Sequence, residues 1–587
     1  MATVGVHGLW FVVLDAVGPY GRIGTNLRSW TVHLDSLATN PLGPAVPLVV
    51  GGLALVFLAR WRKPQWHSAW ALGMIGLSSV LWFGLSRQAP ATEWVRPWDS
   101  LLIPAGHLVW TVDGWAWLGG MLALCVTAIG VLTHWDTAGW RTARLHAHHL
   151  WTLAAALAVC SAMNLLTLVF CWILFEVLLF ARSASRPYAA AAAAGAAGSL
   201  LIWLALIVAG SGSAQAPMLT AALPPLARAL LLVAVLWRVA IYPLHFWLVA
   251  EKQPAGLMTL TDYLLPAVVG LVLLGRMYNA DVAAALQQPA WLALILMALL
   301  GTALVAWLDA HPDRSLLYVV INRVTWAVAA VVLMPTVGPA AVAWSLLVVA
   351  LGISGLLVGL MIARAWAWRW PLAIAMLCLI GIPGTVGFPV LVSLVQLPSF
   401  AGGVLPGFDL LRWLLALLAE ALAVAALLRH WPGNVNGRVG TGWNAPSLTY
   451  MARYLAGFVL YAVPMLAFGL RPFLVGAWAG GDAAAPIFAP LLSQVRVLPL
   501  SFWVTQAVAL GIAYLLLRLQ RQALLPETWA HTVTRVASLG WLQQGLLIVG
   551  GFLSRASFGL SWILDGEGYI GWVILIGLLA WVLWVGM

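Results

Sequence analysis

Apolar runs of about twenty residues recur along the chain, separated by short polar or basic stretches. A helix needs roughly 20 residues to cross a bilayer. Runs of that kind fall near 42–60, 68–86, 114–134, 149–163, 165–181, 187–210, 222–248, 256–276, 286–308, 315–334, 338–363, 371–395, 408–428, 450–470 and 498–518, with a last one at 569–586. The pattern predicts an all-α, polytopic transmembrane bundle of about 14–16 helices. From His149 to Ala181 the apolar stretch is too long for one crossing, so the chain must fold back near Asn164. Residues 527–562 depart from the pattern. They spread Arg535, Gln543, Gln544 and Arg555 among apolar residues, as in a long helix lying along a membrane face or a partner. The opening stretch, MATVGVHGLWFVVLDAVGPYGR, lacks a basic n-region and a small-residue cleavage site, and reads as a short helix or interfacial segment.

Alternate connections are basic: RWRKPQWH (60–67), RTARLHAHH (141–149), RSASRP (182–187), HPDR (311–314), RAWAWR (364–369) and RHWPGNVNGR (429–438). Those between them, such as SGSAQAPMLTAALPP and PTVGP, are nearly uncharged. The positive-inside rule makes the basic loops cytoplasmic and puts the N-terminus outside.

Composition agrees. The chain is 63% hydrophobic and 8% charged, where a soluble domain carries roughly 25% charged residues. The formal charge of +11 belongs to loops that set topology rather than to a nucleic-acid surface. Cys125, Cys160, Cys171 and Cys378 lie in apolar runs without CxxC spacing, so neither a disulfide framework nor a zinc site is indicated. His146, His148 and His149 sit in a basic stretch without a neighbouring acid or cysteine, which argues against a metal. With no HExxH, no phosphate loop and no long hydrophilic domain, catalysis by this chain alone is not expected, and no cofactor is implied.

Charges inside apolar runs are costly and default to functional hypotheses. Arg238 lies near the middle of 222–248, with no interface within easy reach. It is either a buried structural lock or part of a polar path. Glu176 either reaches toward Arg182 at the nearby basic loop or faces Arg238 across two helices, each lowering the cost of the other. Asp262 is either a helix-terminal acid favoured by the dipole or a further member of the path. Arg323 is about two turns into its helix, and Glu420 is mid-span with no partner evident in the sequence. Pro243 removes a backbone donor and disturbs the turn above it. In a membrane the freed carbonyl must meet protein or water, and broken helices carrying charge are how transporters build midplane sites.

The stretch RVAIYPLHFWL around these residues resembles the lysine–proline–histidine–tryptophan segment of the antiporter-like subunits of respiratory complex I and of Mrp-type cation/proton antiporters. VDGWAWL (112–118), DRSLLYVVINRVTWAV and GIPGTVGF (381–388) resemble three further family stretches, in the family's order. The resemblance covers roughly residues 110–430. It implies two inverted five-helix repeats, each centred on a broken helix: one marked by Arg238 and Pro243, the other by Pro383 and Gly384. The implied division is 1–110 for N-terminal helices and an exoplasmic loop, and 111–430 for the core, with repeats at about 149–276 and 286–428. Further membrane helices occupy 431–526, and a lateral or amphipathic helix plus a last span occupies 527–587.

The resemblance also implies an ion pathway through Glu176, Arg238, His245, Asp262 and Arg323, with His245 orienting water or backbone at the break. Departures from the family are specific. Arg238 stands where relatives keep a proton-handling lysine, and arginine holds its proton. If Trp172 matches the family's tryptophan, Ile173 takes the glutamate's place and Glu176 follows one turn later. Asp262 falls where the family has a histidine or lysine, and Arg323 where it has a histidine. Leu391 replaces the terminal lysine or glutamate, so the second half-channel reads as dead.

The function implied is that of a membrane subunit of a complex I-like or Mrp-like assembly in a prokaryotic plasma membrane. Its partners would be other membrane subunits, lipid, and protons or sodium ions, with no nucleic acid. The alternatives are a scaffold that has lost pumping and a proton-driven partner of a soluble enzyme, such as one serving inorganic-carbon uptake.

Overall fold

The computed structural model describes residues 40–58, 64–85, 93–98, 106–133, 140–182, 186–210, 216–247, 260–333, 338–395, 407–431, 448–478, 495–496, 498, 500–521, 527–539, 541, 545 and 548. The expected N-terminal segment, the last span at 569–586 and most of 540–562 lie outside the described residues.

Each of the other apolar runs is helical. In chain order the helices are α1 (Ala45–Leu58), α2 (Pro64–Leu85), α3 (Gly114–Thr133), α4 (Trp140–Ser161), α5 (Leu165–Arg182), α6 (Arg186–Gly210) and α7 (Pro225–Val239). After a 3-10 turn (Leu244–Trp247) come α8 (Leu260–Met277), α9 (Ala280–Leu286), α10 (Pro289–Leu308) and α11 (Pro312–Leu333). Then follow α12 (Pro339–Leu347), a π turn (Val348–Gly352), α13 (Ile353–Trp366), α14 (Trp370–Ile380), α15 (Gly387–Val395) and α16 (Gly407–Arg429). The last are α17 (Leu448–Leu470), α18 (Phe473–Trp478), α19 (Leu500–Arg521) and α20 (Glu527–Ala537). Among the described residues, 7 helices are long and apolar enough to cross a membrane, or up to 8 if the bent pair α8–α9 counts as one span. Shorter apolar helical stretches of 10–17 residues accompany them at Ala45–Phe57, Leu165–Leu179, Ala197–Gly210 and Trp370–Ile380. The chain is a multi-pass membrane protein.

The turn at Asn164 is where the sequence places it. Thr167 N donates to Asn164 Oδ1 at 2.8 Å, capping α5, and Asn164 Nδ2 donates to the His107 carbonyl at 2.7 Å. His107 belongs to a hairpin absent from the sequence expectation, β1 (Glu93–Pro97) paired antiparallel with β2 (His107–Thr111). A second correction concerns 141–149. These residues are not a loop but the first turns of α4, and His146 and His149 are buried. His146 Nε2 meets Ser68 Oγ of α2 at 2.9 Å. Hydropathy ended the span at the polar residues, whereas an imidazole that finds a hydroxyl partner can pack inside a bundle.

The two ends of the bundle are held differently. At one end Arg429 Nη1 donates to the Asp309 carbonyl at 2.6 Å and Arg314 Nε pairs with Asp309 at 2.6 Å. Two of the predicted cytoplasmic loops therefore meet there. At the other, Arg276 closes α8 with bonds to Asp113, which also caps α3 through Ala116 N at 2.7 Å. The same guanidinium donates to the carbonyls of Thr111 and Ala162, binding β2, α3, α4 and α8 together. A two-pronged arginine–carboxylate pair of this kind fixes geometry as well as charge.

Candidate functional site

Two helices stop short inside the bundle, and both stop in the same way. α7 ends at Val239, after which Ala240 adopts φ 60 and ψ 44. Its N–H donates to the Trp237 carbonyl at 3.1 Å, and Ile241 N donates to Leu236 O at 3.1 Å. α14 ends at Ile380, Gly381 adopts φ 83 and ψ 37, and the corresponding bonds are Gly381 N to Cys378 O at 2.9 Å and Ile382 N to Leu377 O at 3.0 Å. This doubled backbone closure satisfies orphan carbonyls at a helix C-terminus and requires a left-handed residue just past the end. Pro243 follows Ala240, and Pro383 and Gly384 (φ 91) follow Gly381. The prolines lie beyond the closures, so they prevent the helices from resuming rather than cutting them in the middle.

The first break carries its own charge. Arg238 is in the last turn of α7, 2% exposed, and its Nη2 lies 3.1 Å from Oε2 of Glu176 on α5, itself 5% exposed. The guanidinium also sits 5.7 Å from the Phe175 ring. The geometry answers the question left open by the sequence: Glu176 faces Arg238 rather than snorkelling. A buried pair of this kind needs both members, because removal of either leaves an uncompensated charge.

Past the break, the 3-10 turn holds His245, fully buried and stacked on Tyr242 with ring centroids 5.1 Å apart. His245 Nε2 lies 3.2 Å from the Tyr318 hydroxyl on α11, and that hydroxyl donates to the Ser538 carbonyl at 3.2 Å. For both bonds to form, Nε2 carries the ring proton and donates to the tyrosine oxygen. His245 therefore ties the first break to α11 and to the segment after α20. α20 packs on α10, and Leu539 at φ 55 interrupts the helix expected to continue over 527–562.

The second break receives its charge from outside. Arg323 on α11 is completely buried, and its Nη1 donates to the Leu379 carbonyl of α14 at 3.0 Å. The same nitrogen straddles both carboxylate oxygens of Glu420 on α16, each at 3.1 Å. Glu420, partnerless in the sequence, is thus the counter-ion of Arg323. Leu391 of α15 is buried close by and lines a cavity together with Glu420 and Asn322. Asp262 lies in the first turn of α8, and its side chain lies outside the described residues.

Of the residues singled out by sequence, Glu176 and Arg238 are brought into contact, His245 stands beside the same break, and Arg323 belongs to a separate pair. Sequence reasoning missed Tyr318, Arg276 and the Arg323–Glu420 pairing. Asp113 was visible only as part of VDGWAWL. Tyr318 lies within DRSLLYVVINRVTWAV but carries no charge to single it out. Among the described residues, no group of three or more histidine, cysteine, aspartate or glutamate side chains could hold a metal.

No protein-family model and no curated protein matches this sequence. Solved structures do match. A chain of the Mrp complex from Dietzia sp. DQ12-45-1b superposes with a TM-score of 0.61 at 18% identity, covering 92% of this chain and 63% of that one. This chain therefore spans somewhat under two thirds of the Mrp chain's length. A chain of respiratory complex I from Thermus thermophilus, solved with bound aureothin, superposes with a TM-score of 0.52 at 19% identity, covering 75% of this chain and 100% of that one. The protein thus has the helical membrane fold of chains from the Mrp complex and respiratory complex I, the same two assemblies that its sequence motifs resemble.

Proposed function

We propose that this chain is a membrane subunit of a complex I-like or Mrp-like assembly and takes part in proton or cation translocation coupled to its partner subunits. The observation that carries this reading is the Glu176–Arg238 pair, buried at 3.1 Å beside a helix that ends inside the bundle. Burying two charges is costly without excellent geometry and further hydrogen bonds, and intramembrane charges at broken helices mark ion paths in other transporters. Arg238 keeps its proton. Its role is a fixed positive charge, against which Glu176 exchanges a proton or a cation. In this reading residues 111–430 form the working core, Asp262 continues the polar line from the first break, and His245 and Tyr318 join that break to α11. The chain sits in a prokaryotic plasma membrane with its N-terminus outside, beside other membrane subunits.

The test is ion flux in proteoliposomes holding the intact complex, with wild type compared to Glu176→Gln and Arg238→Ala. Proton or sodium flux is expected to fall in both variants while assembly is retained. Unchanged flux in both would remove this chain from the path. A scaffold reading has one observation in its favour: Leu391, buried at the second break, has no proton to exchange.

A further inference from the structure

The basic end of the bundle is not uniform. Arg314 and Arg429 are answered inside the chain, since both donate to Asp309. The corner between α13 and α14 is built otherwise. Its sequence, RAWAWRW (364–370), interleaves two arginines with three tryptophans, and no aspartate or glutamate occurs between Asp313 and Asp409. Ala367, at φ 57, closes α13 by donating its N–H to the Ala363 carbonyl at 3.0 Å. The corner is pinned to α17 at successive turns. Trp366 meets Tyr454 edge-on at 5.2 Å, Trp368 meets Phe458 at 5.7 Å, and the Tyr461 hydroxyl donates to the Pro371 carbonyl at 2.9 Å. Positions 454, 458 and 461 share one helix face, and the docking brings Arg453, next to Tyr454, to the corner that carries Arg364 and Arg369. α17 too lies in a stretch without an acid, from Glu420 to Asp482. Burial and the guanidinium groups of Arg429 and Arg364 hold His430 down at about 4, so the end of α16 adds to the same positive field. Arg364 is exposed, Arg369 and Arg453 are half-buried, and Trp370 is 72% exposed. Along α17, Met451, Leu455, Val459 and Val463 are exposed as an apolar stripe, one every four residues.

We propose that this corner is a binding site for an anionic phospholipid, its phosphate held by Arg364, Arg369 and Arg453 and its acyl chains laid along the α17 stripe. Charge and depth argue for it together. Arginine meets phosphate through a planar fork and is weakly hydrated enough to work half-buried. Tryptophan favours the headgroup level of a bilayer, and basic clusters at a helix end attract anionic headgroups. Here the arginines and tryptophans come from a corner locked to a second helix, so the charges are held in place before a lipid arrives. A free phosphate has no use for the stripe, and a zwitterionic headgroup brings its own cation to a surface that is already positive. The bound lipid lies across the start of α14, the helix whose other end is the second break.

The site holds whether or not the chain translocates ions, and its test does not use flux. The intact complex is placed in liposomes with a trace of phosphatidylglycerol or of phosphatidylcholine, each bearing the same photoactivatable acyl chain. Labelling of peptides from 451–463, read by mass spectrometry, should favour phosphatidylglycerol by about tenfold, and high salt should shrink the preference. The triple variant Arg364→Gln, Arg369→Gln, Arg453→Gln should label equally with both lipids, and a preference as large as wild type would overturn the proposal. Equal labelling in wild type would overturn it as well, and would leave the corner to an acidic surface of a neighbouring subunit. Should the triple variant fail to assemble, Arg364→Gln alone, at an exposed side chain, should lower the preference by about threefold, and no change there would be equally fatal. Inorganic phosphate at the lipid's own concentration should not compete. If it does, the site takes a bare phosphate and the lipid assignment is wrong.

Discussion

The two helix breaks share a backbone device and differ in where their charge comes from. At the first, the arginine belongs to the broken helix itself, two residues before its left-handed closing residue, and its carboxylate comes from a neighbour. At the second, the position two residues before Gly381 is Leu379. There a neighbouring helix supplies the arginine, which grips the Leu379 carbonyl and pairs with a carboxylate from a third helix. A buried cation thus stands at both breaks, with a different covalent origin at each. A cation tethered to the break follows the broken helix if it shifts. A cation tethered to α11 stays put and holds the broken helix only through one carbonyl. The first pair is enclosed with its aromatic neighbours Trp172 and Phe175, and Glu420 of the second lines a largely apolar cavity.

That contrast can be broken by experiment. The largest effect should come from Arg238→Met, which strands Glu176 and costs about 3–5 kcal/mol of stability, read from unfolding of the purified complex. Arg323→Met should cost less, because Glu420 is the more exposed of the two carboxylates, its side chain 12% accessible against 6% for Glu176. Adding Glu176→Gln to Arg238→Met should restore most of the loss. Equal losses in the two single variants would show that the sites are equally dry. Next comes Gly387→Ala at the second break. A Cβ there would lie 1.8 Å from the Cys378 carbonyl oxygen, so backbone has to move, and overpacking of this order costs about 1–3 kcal/mol or more. A change within measurement error would mean the turn at 381–387 is not held shut. The smallest effect is expected of Ala240→Gly at the first break. Relief of a left-handed alanine is worth about 1–2 kcal/mol, and loss of one buried methyl gives back roughly 0.8 kcal/mol, so a slight gain in stability should appear. Destabilisation would indicate that the alanine methyl packs the closure more tightly than its φ of 60 costs it.

Much of this architecture was legible because it follows from one-dimensional patterns. Run length located the helices, Asn164 located the fold-back, and the cluster of Arg238, Pro243 and His245 located the first break. What stayed hidden was pairing across distance. Arg323 and Glu420 are 97 residues apart, and no periodicity connects them. The Asp113–Arg276 clamp spans 163 residues and sits at an end where the loops carry little charge. The histidines of α4 misled for a different reason. Hydropathy scores an imidazole by its cost in apolar surroundings, not by the Ser68 hydroxyl that satisfies it. Similarly, the hairpin of β1 and β2 lay unread between two spans, although Val95 and Val109 sit opposite each other at its centre.

The π turn at Val348–Gly352 has a consequence for how this bundle tolerates change. A π turn holds one residue more than the α-helix it interrupts, and each residue of an α-helix turns the chain by about 100°. Everything after it is therefore rotated relative to α12. That rotation sets the faces of Gly355 and Gly359, where an added Cβ would lie 2.8 Å from the Tyr461 ring of α17 and 2.7 Å from the Leu372 backbone of α14. The span accordingly behaves like two gears on one shaft, offset by a single tooth. Deleting one residue within the turn would leave hydropathy and length nearly untouched, yet would swing the glycine teeth away from both partners and set bulky neighbours against the helix that ends at the second break.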